Sequence, residues 1–247
     1  MELWQLLLLA VGGVLCGVIN ALSGGGSFIT LPLLLWFGLP PQVANATNRV
    51  AILLQAAAGA GEYHRHGVMP WRRLPALAAV SIAGSLLGAY AAAHLDEGLF
   101  RRLAALFFAL MAATVFVDAR RWGREGSAGR VPLHLYPIFL VIGVYGGFLQ
   151  AGVGVLQLAV LVLLGGFDVV RANALKFGLA VCFTAAALFV FWRAGQVQWV
   201  PGLALAAGST VGGVLGARLV IAKGARWVRV FVVLAALAAI VKLLAGG

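Results

Sequence analysis

The sequence contains few acidic residues and few cysteines. Asp and Glu together number seven among 247 residues, and none lies securely within an apolar segment. The two cysteines, Cys16 and Cys182, lie in apolar runs, where we expect inert packing residues. No histidine has a second ligand at metal spacing, and no His-Glu-x-x-His, Gly-x-Ser-x-Gly or Walker motif is present. We therefore predict no metal site, no cofactor, no enzymatic activity and no ATP-driven pumping by this chain.

Apolar sequence, in contrast, is abundant. Apolar residues make up 63% of the chain, charged residues make up 10%, and the mean hydropathy is +1.03. This composition is typical of polytopic helical membrane proteins. The formal net charge of +11 comes largely from arginines between apolar runs. We interpret these arginines as topology determinants and lipid headgroup contacts, and we predict no nucleic-acid partner.

Composition and Gly or Pro breakers divide the chain into ten apolar segments, five in each half. The second segment of each half is too short to cross ~30 Å of hydrocarbon at ~1.5 Å per residue, which predicts broken or re-entrant elements. The predicted segments are residues 3–22, 28–39, 44–61, 74–94 and 99–117, then 133–151, 155–167, 172–192, 200–222 and 227–244.

The two halves repeat each other without a gap over a long stretch. Residues 24–89 and 152–217 share 22 identities in 66 aligned positions, whereas this composition gives roughly seven by chance. This match, which pairs Gly24 with Gly152, is called the repeat alignment below. The duplication predicts repeat one at 1–118, a basic linker at 119–131 and repeat two at 132–247.

Five segments per repeat is an odd number, so we expect the two repeats to have opposite orientations in the membrane. The positive-inside tendency favours a cytoplasmic location for three basic stretches, residues 65–73, 120–130 and 223–229. Both termini then face outward. Inverted repeats with broken helices are typical of secondary transporters that bind substrate between the two halves.

The interruptions contain the candidate binding residues. A glycine run exposes backbone N–H groups, and a helix that begins near Ala44 directs its N-terminal amides toward the same region, so both features favour an anion. Nearby amides, hydroxyls and cations add donors. The predicted substrate-binding residues are Gly24, Gly25, Gly26, Ser27, Asn45, Thr47, Asn48 and Arg49 in repeat one, with Gly152, Gly154, Asn173 and Lys176 in repeat two.

Structural roles remain open for several of these residues. Asn45 and Asn173 could instead be helix N-caps, and Lys176 and Arg49 could extend to a membrane interface. Small residues in membrane helices commonly serve close packing.

The first fifty residues carry a resemblance to a known family. Gly24-Gly-Gly-Ser27, an apolar run with Pro32, Gly38-Leu-Pro40 and Ala44-Asn-Ala-Thr47-Asn resemble the TauE/SafE family of sulfite exporter-like permeases. Through the duplication the resemblance extends over nearly the whole chain. It implies movement of sulfur-containing or organic anions, such as sulfite, sulfonates or sulfoacetate, across the bacterial inner membrane.

Two departures from the family pattern bear on the choice of anion. Asn48 stands where a serine is common, and repeat two has Gly152-Val-Gly154 and Asn173-Ala-Leu-Lys176 in place of a glycine triplet and Thr-Ser. The second half of the site is then expected to bind through the lysine charge.

The sequence thus predicts an all-α polytopic membrane protein of two inverted repeats that transports a small anion by alternating access, with the anion and membrane lipids as partners. Two alternatives remain: a permease for another small solute such as a carboxylate, and an accessory membrane subunit without a substrate. A cavity lined by both repeats would distinguish transport from the accessory role.

Overall fold

The computed structural model of the protein describes residues 1–114 and 131–223. Most of the predicted linker, the last predicted segment at 227–244 and the basic stretch at 120–130 lie outside the described residues. The described residues form nine helices and contain no strand. In chain order they are α1 Leu3–Leu22, α2 Ser27–Trp36, α3 Pro41–Arg65, α4 Leu74–His94, α5 Glu97–Thr114, α6 Leu135–Leu149, α7 Val153–Leu163, α8 Val169–Arg193 and α9 Trp199–Lys223.

The prediction of an all-α polytopic membrane protein is confirmed. Four helices, α1, α4, α8 and α9, are long and apolar enough to cross a membrane. The second helix of each half is much shorter, with 10 residues in α2 and 11 in α7. At ~1.5 Å per residue these two helices reach about halfway across the hydrocarbon.

The third helix of each half begins earlier than the sequence predicts. Pro41 occupies the first position of α3. A backbone N–H at this position has no partner within the helix, so the N–H that proline lacks is not needed there. At the start of α8, the Asp168 carboxylate accepts a hydrogen bond from the Arg171 N–H at 2.9 Å. The N-cap interpretation of Asn45 and Asn173 is therefore wrong, because both residues lie inside helices.

The first two helices of each half form a helical hairpin. In the α1–α2 hairpin, the Trp4 ring lies 5.9 Å from the Phe37 ring at the open end, and the turn is formed by residues 23–26. The α6–α7 hairpin turns at residues 150–152. The two turns meet, because a Cβ atom on Gly24 would overlap the backbone of Gly154.

This meeting point lies midway along α3. Asn20, near the first turn, donates a hydrogen bond to Gln55 at 3.1 Å. Gln55 is about 21 Å from the start of α3 and about 15 Å from its end at ~1.5 Å per residue. The α1–α2 hairpin enters from the end where α3 begins, and the α6–α7 hairpin enters from the end where α3 finishes.

The backbone conformations and helix contacts of the two halves match at positions that the repeat alignment pairs. α3 and α8 each have 25 residues, and their first residues, Pro41 and Val169, are aligned. The six glycines with positive φ in the described residues form three aligned pairs: Gly24 with Gly152, Gly38 with Gly166, and Gly67 with Gly195. The first helix of each half packs on the fourth helix of the other half, α1 on α9 and α6 on α4, through close glycine contacts such as Gly88 at Val144.

α3 and α8 cross in opposite directions. The Arg49 guanidinium lies 4.7 Å from the centre of the Phe191 ring, and the Tyr63 ring lies 5.6 Å from the Phe177 ring. The repeat alignment pairs Phe177 with Arg49 and Phe191 with Tyr63, so the two contacts are equivalent.

Charge is distributed unequally between the two ends of the described bundle. The end where α3 and α9 finish, here called the basic end, carries six cationic side chains and two carboxylates. They are Arg65, Arg72, Arg73, Arg171, Arg218, Lys223, Glu62 and Asp168. The opposite end carries three of each sign: Arg101, Arg102, Arg193, Glu2, Asp96 and Glu97.

Candidate functional site

A cavity lies where the two hairpin turns meet. Its volume open to water is about 40 Å³, which gives room for roughly three water molecules or a solute of a few heavy atoms. Both halves line it, and its apolar wall includes Ile52, Phe177 and Phe183. Its polar side chains are Asn20, Ser27, Gln55, Gln150, Gln157 and Lys176. Within residues 1–114 and 131–223, no carboxylate lines the cavity.

Lys176 supplies the positive charge of this cavity. The side chain comes from α8 and is 4% exposed. Its Nζ donates to the carbonyl oxygens of Asn20 at 2.7 Å and Ala21 at 3.4 Å, in the last turn of α1. A cation is favoured there because helix C-termini carry partial negative charge. An ammonium group has three donors, and two carbonyls of α1 lie within hydrogen-bond distance of it.

Arg49 makes a similar contact with the other hairpin. The fully buried guanidinium donates through Nη1 to the Gly146 carbonyl and to Gln150 Oε1, both at 3.0 Å. It also donates through Nη2 to the Gly147 carbonyl at 2.6 Å. Arg49 thus holds the C-terminal end of α6 and does not line the cavity. Neither cation extends to a membrane interface, so that interpretation is wrong for both.

An amide network surrounds the hairpin turns. Asn20 accepts a hydrogen bond from the Gly26 N–H at 2.7 Å and donates to Gln55. Gln150 donates to the Thr184 hydroxyl at 2.8 Å. Gln157 differs, because its Nε2 is buried in the cavity wall without a partner among the described residues. That Nε2 group is an unpaired donor in a residue of the cavity wall.

The structure brings four of the twelve predicted binding residues to the cavity: Gly24, Ser27, Gly154 and Lys176. The other eight do not line it. Asn48 bonds to the hydroxyls of Thr30 at 2.8 Å and Ser27 at 3.3 Å, and Thr47 accepts from the Gln198 N–H at 3.1 Å. Binding by these residues stays a prediction.

The remaining predicted positions support the hairpins. The Gly25 carbonyl accepts from the Phe28 N–H at 3.1 Å, and Gly152 precedes α7 with φ 76°. The amide of Asn45 donates to the Phe148 carbonyl at 2.9 Å, whereas both polar atoms of buried Asn173 lack a partner among the described residues.

One expectation about backbone donors is wrong, and another is contradicted in part. The N-terminus of α3 does not point at the site, because the hairpin turns lie about halfway along this helix. Two amides of the glycine run are already used, since the Gly24 N–H donates to the Ile19 carbonyl and the Gly26 N–H donates to Asn20.

Sequence reasoning missed four amide side chains in the cavity wall: Asn20, Gln55, Gln150 and Gln157. Their signal was a polar residue within an apolar segment, which in a membrane protein indicates a functional position. The comparison of the repeats could not find them, because the equivalent positions hold Phe148, Phe183, Leu22 and Ile29.

Comparison with known proteins agrees with this architecture. The family model described as sulfite exporter TauE/SafE matches residues 9–243. A probable membrane transporter protein from Sinorhizobium sp. is 31% identical over 96% of this chain and 91% of its own length. Another from Haemophilus influenzae is 29% identical over 90% of this chain and 88% of its own length.

More distant similarity extends to plants. A sulfite exporter TauE/SafE family protein of Arabidopsis thaliana is 29% identical over 58% of this chain and 30% of its own length. No solved structure matches the chain significantly.

Proposed function

The chain belongs to the sulfite exporter TauE/SafE family, and we propose that its substrate is a small anion, first of all a sulfur-containing one such as sulfite, a sulfonate or sulfoacetate. Relatives of this family carry the description of probable membrane transporter proteins, and the chain is a membrane transporter. The anion is our own inference from the cavity.

One observation carries this proposal: a buried lysine lines a small cavity in which the described residues place no carboxylate. Among the described residues, the hydrogen-bond partners of Lys176 Nζ are backbone carbonyls only, so none of the described carboxylates neutralises its charge. An ammonium group inside a membrane protein requires polar or charged partners, and an anion in the cavity would provide them. Gln157 Nε2 and the Ser27 hydroxyl add neutral donors beside the lysine.

We further propose that the two repeats are inverted and that the site opens alternately to each side. In support, the two hairpins enter from opposite ends and meet midway along α3, as substrate sites of inverted-repeat transporters do. The basic end would face the cytoplasm under the positive-inside tendency. Because the two most similar relatives described above are bacterial, we propose the bacterial inner membrane as the location.

A thermal-stability screen tests the anion proposal. Purified protein is heated with sulfite, thiosulfate, sulfate, sulfoacetate, taurine, acetate and succinate, each against a matched ionic strength of chloride. A ligand at about 100 times its Kd stabilises the folded state by roughly 2.7 kcal/mol. We expect at least one sulfur oxyanion to raise the melting temperature of the parent and not that of Lys176→Met.

Transport of the anion that raises the melting temperature is then measured in proteoliposomes. The vesicles are loaded with the unlabelled anion, and uptake of the radiolabelled anion from outside is followed. Uptake by the parent and its loss in Lys176→Met would support transport through this cavity. A shift by carboxylates alone would assign a carboxylate permease instead, and the absence of any shift would remove the anion proposal.

A further inference from the structure

Asn45 and Asn173 occupy equivalent positions, yet within the described part of the chain only Asn45 has a hydrogen-bond partner. Asn45 Nδ2 donates to the Phe148 carbonyl at 2.9 Å, near the end of α6. The register of the repeat alignment pairs Phe148 with Asn20, near the end of α1. The equivalent bond would therefore join Asn173 to the Asn20 carbonyl.

That carbonyl is occupied by a different donor. Lys176 Nζ lies 2.7 Å from the Asn20 oxygen. Asn173 is fully buried, and neither its Nδ2 nor its Oδ1 has a partner among the described residues. Buried polar side chains are nearly always hydrogen-bonded, so a fully buried amide with both atoms unpaired needs an explanation.

The geometry of α8 suggests what Asn173 does. Asn173 and Lys176 are three residues apart, which places them side by side on one helix face. Lys176 reaches both the end of α1 and the cavity, so it has two competing partners: the α1 carbonyls and a bound anion. Asn173 has the amide donor that its counterpart Asn45 uses on the other hairpin.

We propose that Asn173 is a positioning residue that takes the Asn20 carbonyl when Lys176 turns to a bound anion. The inference rests on the proposed function, since it assigns the lysine to the anion. In the empty site Lys176 holds the end of α1, and in the loaded site Asn173 holds it. Anion binding then leaves the Asn20 carbonyl, the closer of the two that Lys176 contacts, with a donor, and the first hairpin stays in place beside the filled cavity.

A double-mutant cycle in the absence of any anion tests the exchange itself. Melting temperatures are measured for the parent, Asn173→Ala, Lys176→Met and the double variant. Asn173→Ala alone leaves the melting temperature unchanged or raises it, because Asn173 has no bond to lose. In the Lys176→Met background, where the Asn20 carbonyl is vacated, the same substitution lowers it by about 2–4 °C.

Asn45→Ala gives the contrast within the same protein. It removes an existing bond to Phe148, so it lowers the anion-free melting temperature by about 2–4 °C in the parent background. Asn173→Leu, which fills the space of the amide without a donor, must behave as Asn173→Ala does.

Sulfite binding by titration calorimetry provides the second readout. We expect Asn173→Ala and Asn173→Leu to weaken sulfite about 5- to 10-fold, because the Asn20 carbonyl loses its replacement donor. Ser209→Ala is the control for general loosening of the helix packing. It removes a buried hydrogen bond from Ser209 on α9 to the Ala51 carbonyl, outside the cavity, and should change the sulfite affinity less than twofold.

The outcomes separate the two proposals. An additive cycle, or a loss of stability in Asn173→Ala equal to that in Asn45→Ala, overturns the exchange. So does unchanged sulfite affinity in both Asn173 variants. A coupled cycle with no binding of sulfite or any other screened anion by the parent would show that Asn173 takes the Asn20 carbonyl when the lysine is removed, and it would overturn the anion proposal together with the role of an anion in the exchange.

Discussion

The ends of the two hairpins are held by different donors, although the hairpins arise from one duplicated sequence. Repeat one supplies Asn45 and Arg49 to the end of α6, and neither side chain lines the cavity. Among the described residues of repeat two, Lys176 alone donates hydrogen bonds to the end of α1, and Lys176 also lines the cavity. One hairpin end is thus fully supported, while the support of the other is shared with the candidate site.

The two cations are not copies of each other. The repeat alignment pairs Arg49 with Phe177 and Lys176 with Asn48. In the repeat alignment the two cations lie one position apart on equivalent helices. One is a guanidinium and the other an ammonium, so their binding properties differ. A guanidinium has five donors in a rigid fork suited to several carbonyls at once, whereas an ammonium is a compact charge that changes partners readily. We therefore expect repeat one to support the structure and repeat two to bind the substrate.

The largest expected effect is a loss of stability on substitution of Arg49, which holds the end of α6. Arg49→Leu removes three hydrogen bonds from a fully buried position, leaving the carbonyls of Gly146 and Gly147 without their charged donor. We expect a loss of about 3–5 kcal/mol of folded stability, seen as a fall of roughly 10 °C in the melting temperature of the detergent-solubilised protein. The melting temperature of Arg49→Lys should lie between those of the parent and Arg49→Leu.

Lys176→Leu is the matched comparison. It removes two contacts, one of them long at 3.4 Å, so its melting temperature should fall less than that of Arg49→Leu. If the two variants lose equal stability, the division between a supporting and a binding half is wrong.

The contact between the two turns gives the next effect. Gly24 has φ 89° and touches the backbone of Gly154, whereas Gly38 has φ 84° with nothing within 4 Å of an added Cβ. Alanine is strained at both positions, but only at Gly24 must the hairpins also separate. We expect Gly38→Ala to lose about 1 kcal/mol and Gly24→Ala about 3 kcal/mol of stability, measured as melting temperatures. Equal losses would mean that the turns do not meet.

The third prediction concerns a variant in which Lys176 of repeat two is replaced by the residue at the equivalent position of repeat one. Lys176→Asn places in α8 the side chain found at the equivalent Asn48. It removes the cavity charge, so sulfite affinity should fall about 10- to 100-fold, the effect of losing one charge-assisted bond. Lys223→Asn removes the same charge at the basic end, away from the cavity, and should alter affinity less than twofold. Similar losses in both variants would indicate a general electrostatic effect instead of a site.

The fold was predictable from the sequence where the information is local or repeated. Helix composition, glycine turns and the register of the repeat alignment are all properties of neighbouring or matched positions. The start of α3 was misplaced by three residues because Pro41 was interpreted as a breaker, although proline is well suited to a first helical position.

The site was predictable only in part, because its contacts join the two halves. Lys176 was found through its charge, but its partner is the end of α1 in the other repeat, which no local pattern indicates. Arg49 was expected to bind substrate, yet its fork fits the last turn of α6. The cavity amides break the repeat, so a search for matched residues overlooks them.

The smallest expected effect concerns one of those amides. Gln157 replaces the apolar Ile29 of the equivalent position, and its Nε2 has no partner among the described residues. Gln157→Leu removes an unsatisfied donor, so the anion-free melting temperature should stay the same or rise slightly. If that donor serves the anion, sulfite affinity should fall about 3- to 10-fold, near 1 kcal/mol for one neutral hydrogen bond. Gln157→Glu adds a negative charge beside Lys176 and should weaken sulfite further than Gln157→Leu does. Unchanged sulfite affinity in Gln157→Leu would leave Lys176 as the cavity's one proven contact and place the anion away from α7.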